Sequence, residues 1–161
     1  MKELLPLANH VAGLMKQRNH TVAVAESSTG GLVSAALLTV PGASSYFLGG
    51  AVIYTVEARR AIFDITDEKM AGMRASTEPY AMLMARTARE RLGAVWGLGE
   101  TGATGPTGNR YGDPPGHTCI AISGPVERVI TLETGSRDRV GNMRAFSAAA
   151  LDLLAQSLAS S

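Results

Sequence analysis

Chemistry in this chain is most concentrated in Ala25-Glu26-Ser27-Ser28-Thr29-Gly30-Gly31, where three hydroxyls follow a carboxylate and precede a glycine pair. A short β-branched run, Thr21 to Ala25, leads into it and a helical pattern, Leu32 to Leu38, leads out, so it reads as a strand-to-helix turn. In open α/β sheets ligands bind at such turns. N–H groups at a helix start attract an anion or oxyanion, and glycines let the ligand approach the backbone closely. A seryl group there suits nucleophilic acyl transfer. Each hydroxyl also suits plain helix capping, for which Ser and Thr are favoured on structural grounds alone, and the turn by itself leaves both readings open.

A second concentration lies between Gly97 and Gly116, where seven of twenty residues are glycine. Turn-making alone explains that density poorly, and Glu100 to Gly116 reads as a loop long enough to be functional or else a flexible crossover. No Gly-Lys-Ser/Thr follows, so this is not a Walker loop, and it does not lead into a helix as a Rossmann fingerprint would. Backbone N–H groups with little side-chain cover suit phosphate or ribose oxygens. Arg110, Arg137, Arg139 and Arg144 are arginines a phosphate can use, with solvated surface positions as the alternative. His10, His20, His117 and Cys119 are the only imidazoles and thiol, and no pair has metal-ligand spacing, so no metal is expected. His117, next to the glycine loop, is either a site residue or an ordinary strand residue.

The elements that position these residues alternate. Helical spacing runs over residues 2–18, strands are expected at Thr21–Ala25 and Tyr46–Tyr54, and short helices at Glu57–Phe63 and, entered through Thr66 or Asp67, within Asp64–Met73. Ser76 or Thr77 can cap a helix over Pro79–Leu92. Gly93–Gly99 reads as a strand too rich in glycine unless another backbone or a ligand lies close. Strands His117–Ile122 and Glu127–Glu133 flank Ser123-Gly124-Pro125 as a hairpin, and a helix from about Arg139 to Leu158 ends the chain. The pattern implies an α/β fold, a three-layer α/β/α sandwich on a mixed, mostly parallel sheet, in one domain over residues 1–161.

Composition limits the partners. The 161 residues carry 15 basic and 14 acidic side chains, a balance with no field for wrapping nucleic acid. No apolar run approaches a membrane span and no export signal is visible, so a soluble, cytoplasmic protein is expected. A lone cysteine fits that compartment.

Taken together, the motifs resemble the CinA C-terminal domain family, whose stand-alone forms include nicotinamide-nucleotide amidohydrolase (PncC-like proteins). Ala25 to Gly31 is similar to the family's AESCTGG. Pro41-Gly42-Ala43-Ser44-Ser45-Tyr46-Phe47 with Gly50 to Tyr54 is similar to its GSS…F…G…Y segment, and Thr101 to Pro106 to its SGIAGP. Pro114 to Thr118 resembles PVGTV, and Thr134-Gly135-Ser136-Arg137-Asp138 its GDR. The resemblance covers nearly the whole chain. It implies an oligomeric enzyme of NAD recycling that hydrolyses the carboxamide of nicotinamide mononucleotide to nicotinic acid mononucleotide and ammonia, with no cofactor. Its implied nucleophile is Ser27, activated by a lysine and oriented by Tyr54, with turn N–H groups holding the oxyanion. Substrate contacts fall on Glu26, Thr29, Gly30 and Gly31, on Thr101, Gly102 and Gly105, and, for the phosphate, on Arg110 and Arg137.

One departure bears on the chemistry. Where the family carries Y-S/T-N-E/D-A-K, this chain has Tyr54-Thr55-Val56-Glu57-Ala58-Arg59. A guanidinium cannot accept a proton, so Arg59 cannot replace lysine as general base, although it can hold an anion. Lys2, Lys16 and Lys69 are the only lysines and lie outside the motifs, which leaves His117 or Glu26 as substitute bases. Two readings follow: an amidohydrolase with Ser27, Tyr54 and Arg59 at its centre, or a relative that binds a nucleotide or small phosphorylated ligand without amidase activity.

Overall fold

The computed structural model describes residues 1–161. A 3-10 turn at Lys2–Leu4 leads into α1 (Leu5–Arg18), followed by β1 (Val22–Glu26), α2 (Leu32–Leu38), β2 (Phe47–Val52), α3 (Val56–Phe63) and α4 (Asp67–Met70). Then come α5 (Glu78–Leu92), β3 (Trp96–Ala103), β4 (His117–Ser123), β5 (Arg128–Glu133) and α6 (Arg139–Ala159). The sheet order is β2-β1-β3-β4-β5. β1 pairs in parallel with β2 and β3, while β3–β4 and β4–β5 are antiparallel. Four strands therefore point one way and only β4 runs against them, which matches the mixed sheet expected from the sequence.

Side-chain size sorts the two faces. Val22, Val24, Trp96, Leu98, Ile120 and Ile122 project into a large core with α1, α2 and α6, anchored by Leu4, Met15, Leu37 and Leu151. The alternating residues are small, because successive side chains in a strand point to opposite faces. Ala23, Ala25, Gly97, Gly99, Cys119 and Ala121 make a shallow face on which α5 lies close. A Cβ on Gly97 would sit 2.0 Å from the Ala85 carbonyl oxygen, and one on Gly99 would sit 2.2 Å from that of Ala81. The glycine-rich strand is thus explained by a neighbouring backbone, not by a ligand.

Three local expectations are corrected. The segment from Glu100 to Ala103 is not loop but the continuation of β3, paired with Ile120 to His117 of β4. None of Ser27, Ser28 or Thr29 caps α2, whose N-cap position is Gly31 at φ +97°. Thr77 occupies the N-cap position of α5, yet its hydroxyl donates to the Arg74 carbonyl at 2.8 Å and caps nothing. Thr66 does enter α4 as expected, its Oγ1 accepting from the Lys69 N–H.

The sheet topology sets the place of the site. β1 ends at Glu26 and its chain returns to β2 on one side, while β3 on its other side runs on past Gly99 to Ala103. That divergence opens a crevice at the strand ends, where ligands gather in this class of fold.

Candidate functional site

Two fully buried carboxylates organise the turn after β1. Glu26 accepts from the N–H groups of Gly31 and Val33 at 3.0 Å on Oε2 and from the N–H and hydroxyl of Ser34 at 2.8 and 2.7 Å on Oε1. It satisfies the free donors that every helix start carries and places negative charge at the positive end of α2. Glu100 of β3 does the same for the turn itself. Its Oε2 accepts from the N–H of Ser27, the N–H of Thr29 and the Thr29 hydroxyl, each at 3.0 Å. Its Oε1 accepts from the hydroxyls of Ser28 at 2.5 Å and Thr118 at 2.9 Å.

This geometry corrects several expected roles. Glu26 and Thr29 are wholly buried and fully engaged inside the fold, so neither faces a ligand and Glu26 is not placed as a base. Gly30 and Gly31 lie behind the turn, where added Cβ atoms would meet Met143 and Val52. The turn N–H groups expected at an oxyanion are largely taken by internal carboxylates, leaving the Ser28 N–H without a hydrogen bond in the chain. Gly105 packs against the backbone carbonyl of Arg137, and Arg137 is exposed outside the pocket. Arg139 binds there instead, donating to the Gly105 carbonyl at 2.6 Å and to Tyr54 Oη at 3.3 Å.

The other candidates converge. Ser27, Tyr54, Arg59, Thr101, Gly102 and Arg110 all line one pocket of about 470 Å³ at the β1/β3 crevice, a size that accommodates a small organic ligand. Ser27 is half-buried, and its hydroxyl takes part in no hydrogen bond with another side chain. Tyr54 is exposed at the rim. Arg59, in α3, is buried against the wall, its Nε donating to the Ile65 carbonyl at 3.2 Å and its Nη2 to Asp67 at 2.8 Å. Arg60 shares that Asp67. Arg110 is free of carboxylates and donates to the Tyr111 hydroxyl at 2.9 Å while stacking on its ring, which leaves its charge available at the pocket mouth.

Residues without a motif complete the pocket. Ser76, Tyr80, Asn109 and Tyr111 line it, and Asn109 folds the loop on which Arg110 sits. The Asn109 side-chain oxygen accepts from the N–H groups of Tyr111 and Asp113, and Arg74 grips Asp113 through two bonds at 2.6 and 3.0 Å. That guanidinium, ahead of Asn109 and His117, holds the Asp113 carboxyl below its usual value against the opposing effect of burial. The loop is therefore an ordered rim rather than a flexible crossover.

His117 is also a support and not a base. Its Nδ1 faces the Glu133 carboxylate and its Nε2 the Ser76 carbonyl at 2.9 Å. Two acceptors on two ring nitrogens require both to donate, which is the imidazolium form. Burial pulls its pKa down, but Glu133, the Ser76 carbonyl and Asp113 outweigh this and hold it above the ordinary value. No group of three or more His, Cys, Asp or Glu lies close enough to hold a metal ion, and no helix is long and apolar enough to cross a membrane.

Comparison with known proteins agrees with the motifs and the fold. The CinA C-terminal domain family matches residues 4–158. A CinA-like protein of Prochlorococcus marinus (strain MIT 9313) is 43% identical over 119 residues, 74% of this chain and 28% of the relative. One from Gloeobacter violaceus is 39% identical over 150 residues, 92% of this chain and 35% of the relative. The chain thus spans about a third of the length of these curated relatives. Among solved structures, the competence/damage inducible protein CihA from Agrobacterium tumefaciens superposes with a TM-score of 0.88 at 27% identity, covering 96% of this chain and 94% of that one. A CinA superfamily protein from Klebsiella pneumoniae shares the fold with a TM-score of 0.91 at 24% identity, covering 98% and 99%. With the match running from the first helix to the last, the chain belongs to the CinA C-terminal domain family.

Proposed function

We propose that this chain binds a small phosphorylated nucleotide bearing a planar amide, and that it acts as a binding member of the family instead of an efficient amidohydrolase. The observation that carries the reading is the Arg59 guanidinium. It stands where amidohydrolases are expected to hold a lysine, and it is tied to the Ile65 carbonyl and Asp67. A guanidinium accepts no proton, and no side chain accepts a hydrogen bond from the Ser27 hydroxyl, Ser27 meeting Glu100 through its N–H alone. The binding half of the apparatus is better furnished. Several hydroxyls and an unpaired arginine face one pocket, which suits a sugar phosphate.

A second reading, slow hydrolysis of the amide by Ser27, is favoured by one feature. Ser27 lines the pocket with its hydroxyl unpaired, and the N–H of the next residue, Ser28, is unengaged, a donor of the type an oxyanion needs. Water would then convert the carboxamide to a carboxylate and ammonia through an acyl-serine.

Two measurements separate the readings. In thermal unfolding, nicotinamide mononucleotide at about a hundred times its Kd raises Tm by roughly 5–10 °C, since saturation contributes about 2.7 kcal/mol to a domain of this size. Ammonia release stays at background in the wild type. Turnover that disappears in Ser27→Ala establishes hydrolysis, and the absence of a Tm shift with nicotinamide mononucleotide, nicotinic acid mononucleotide or any wider nucleotide panel rejects the binding reading.

A further inference from the structure

Three hydroxyls in the pocket are nine-tenths buried and yet hold a hydrogen-bonding function that the chain does not use. Ser76, Tyr80 and Thr101 are 5%, 4% and 2% exposed. No side-chain oxygen that is sealed from solvent is left without a partner. The hydroxyls of Ser76 and Tyr80 make no hydrogen bond in the chain, so they must reach open space, and the space they line is the pocket. Thr101 Oγ1 accepts the Ser76 N–H at 3.1 Å, which leaves its own proton to donate outward.

The wall that presents them is built with care. Ser76 has φ +59°, an uncommon conformation for a residue with a side chain. Its N–H is held by Thr101 and its carbonyl by His117, so both peptide groups are pinned while the side chain between them is free. Tyr80 lies one turn into α5, and burial raises its pKa above the usual phenol value despite the opposing Arg59, which keeps it a neutral donor.

We propose that Ser76, Tyr80 and Thr101 form a hydroxyl-lined subsite that takes the neutral, hydroxyl-bearing part of the ligand, a pentose ring, with Arg110 at the mouth facing its phosphate. The inference rests on the nucleotide reading above and deepens it. A hydroxyl both donates and accepts, so a row of them matches a sugar diol, whose groups do the same. A buried hydroxyl left unpaired is costly, which gives the subsite its preference for ligands that complete it.

The test is calorimetric titration of the full chain with nicotinamide mononucleotide and with nicotinamide riboside, which lacks the phosphate. Tyr80→Phe removes one oxygen, and Ser76→Gly removes the hydroxyl while suiting the positive φ, so both variants keep the fold. Each weakens both ligands by the same factor, about three- to ten-fold for one neutral hydrogen bond, whereas Arg110→Ala weakens the mononucleotide alone. If wild type binds either ligand and Tyr80→Phe and Ser76→Gly bind it equally well, the subsite is overturned and the nucleotide reading stands. If only the riboside binds and both variants weaken it, the subsite stands and the phosphate contact falls. Failure of wild type to bind either, or any member of the wider nucleotide panel, overturns both.

Discussion

At the residue scale, the feature that decides the chemistry is Glu100. A serine after a strand, followed by two glycines, has the composition of an oxyanion site, yet the carboxylate beneath it has already bound the N–H groups of Ser27 and Thr29. The two sides of that carboxylate differ. Oε2 serves two backbone N–H groups that can only donate, together with the Thr29 hydroxyl, whereas Oε1 serves only hydroxyls, which can turn and accept. Glutamine can therefore place its oxygen on the first side and its NH2 on the second. Urea unfolding should show Glu100→Gln costing about 1–2 kcal/mol and Glu100→Ala roughly 3–5 kcal/mol, since alanine strands buried donors. Equal losses in the two variants would mean the carboxylate is not the turn's acceptor. The same residue shows where sequence reading stops. Six of the expected site residues meet in the pocket because strand ends, α3 and the rim loop converge there, but Glu26 and Thr29 carry the same side-chain chemistry and point into the fold. Only the direction of a side chain separates ligand contact from scaffold.

At the element scale, the packing of α5 on the sheet is what brings Ser76 and Tyr80 beside Thr101. It depends on the small residues of β1, β3 and β4, above all on Gly97 and Gly99. Gly99→Ala pushes a methyl group onto the Ala81 carbonyl and the Ala85 N–H, both backbone atoms of a fifteen-residue helix that cannot give way locally. The expected result is a loss above about 3 kcal/mol, or insoluble protein; a melting temperature within two or so degrees of wild type would show that α5 lies farther from the sheet. Element types were legible because periodicity and turn residues are local. The length of β3 was not, since Glu100-Thr101-Gly102-Ala103 has no strand-like pattern of its own and is held straight only by pairing with β4.

At the scale of the whole molecule, His117 links the parts that the sheet alone leaves separate. It joins β4 to Glu133 of β5 and to Ser76 before α5, with Asp113 of the rim loop at 4.0 Å. Its pKa is raised in the folded protein from 6.5. The stabilisation it provides is complete below about pH 6.5 and is lost as pH rises through the folded value, because the unfolded chain gives up that proton first. Stability measured by denaturant should accordingly fall with rising pH from about 6.5 upward, and His117→Gln should flatten that slope. An unchanged slope in the variant would assign the dependence to another group.

What the amino-acid sequence determined by itself were features set by neighbours along the chain: alternating helices and strands, the hairpin, the strand-to-helix turn, and the motifs that mark the family. It also fixed the loss of a basic lysine, because Arg59 cannot accept a proton in any fold. The tertiary structure decided what those residues face. It turned Glu26 and Glu100 inward as acceptors for nine donors, made Gly97 and Gly99 of the glycine-rich segment a helix-packing surface, and drew two motif-less hydroxyls, Ser76 and Tyr80, into the pocket. The Glu100 contacts with the turn span more than seventy positions, and even the shorter-range Glu26 contacts have a free energy that depends on direction and burial, which only the packed chain defines.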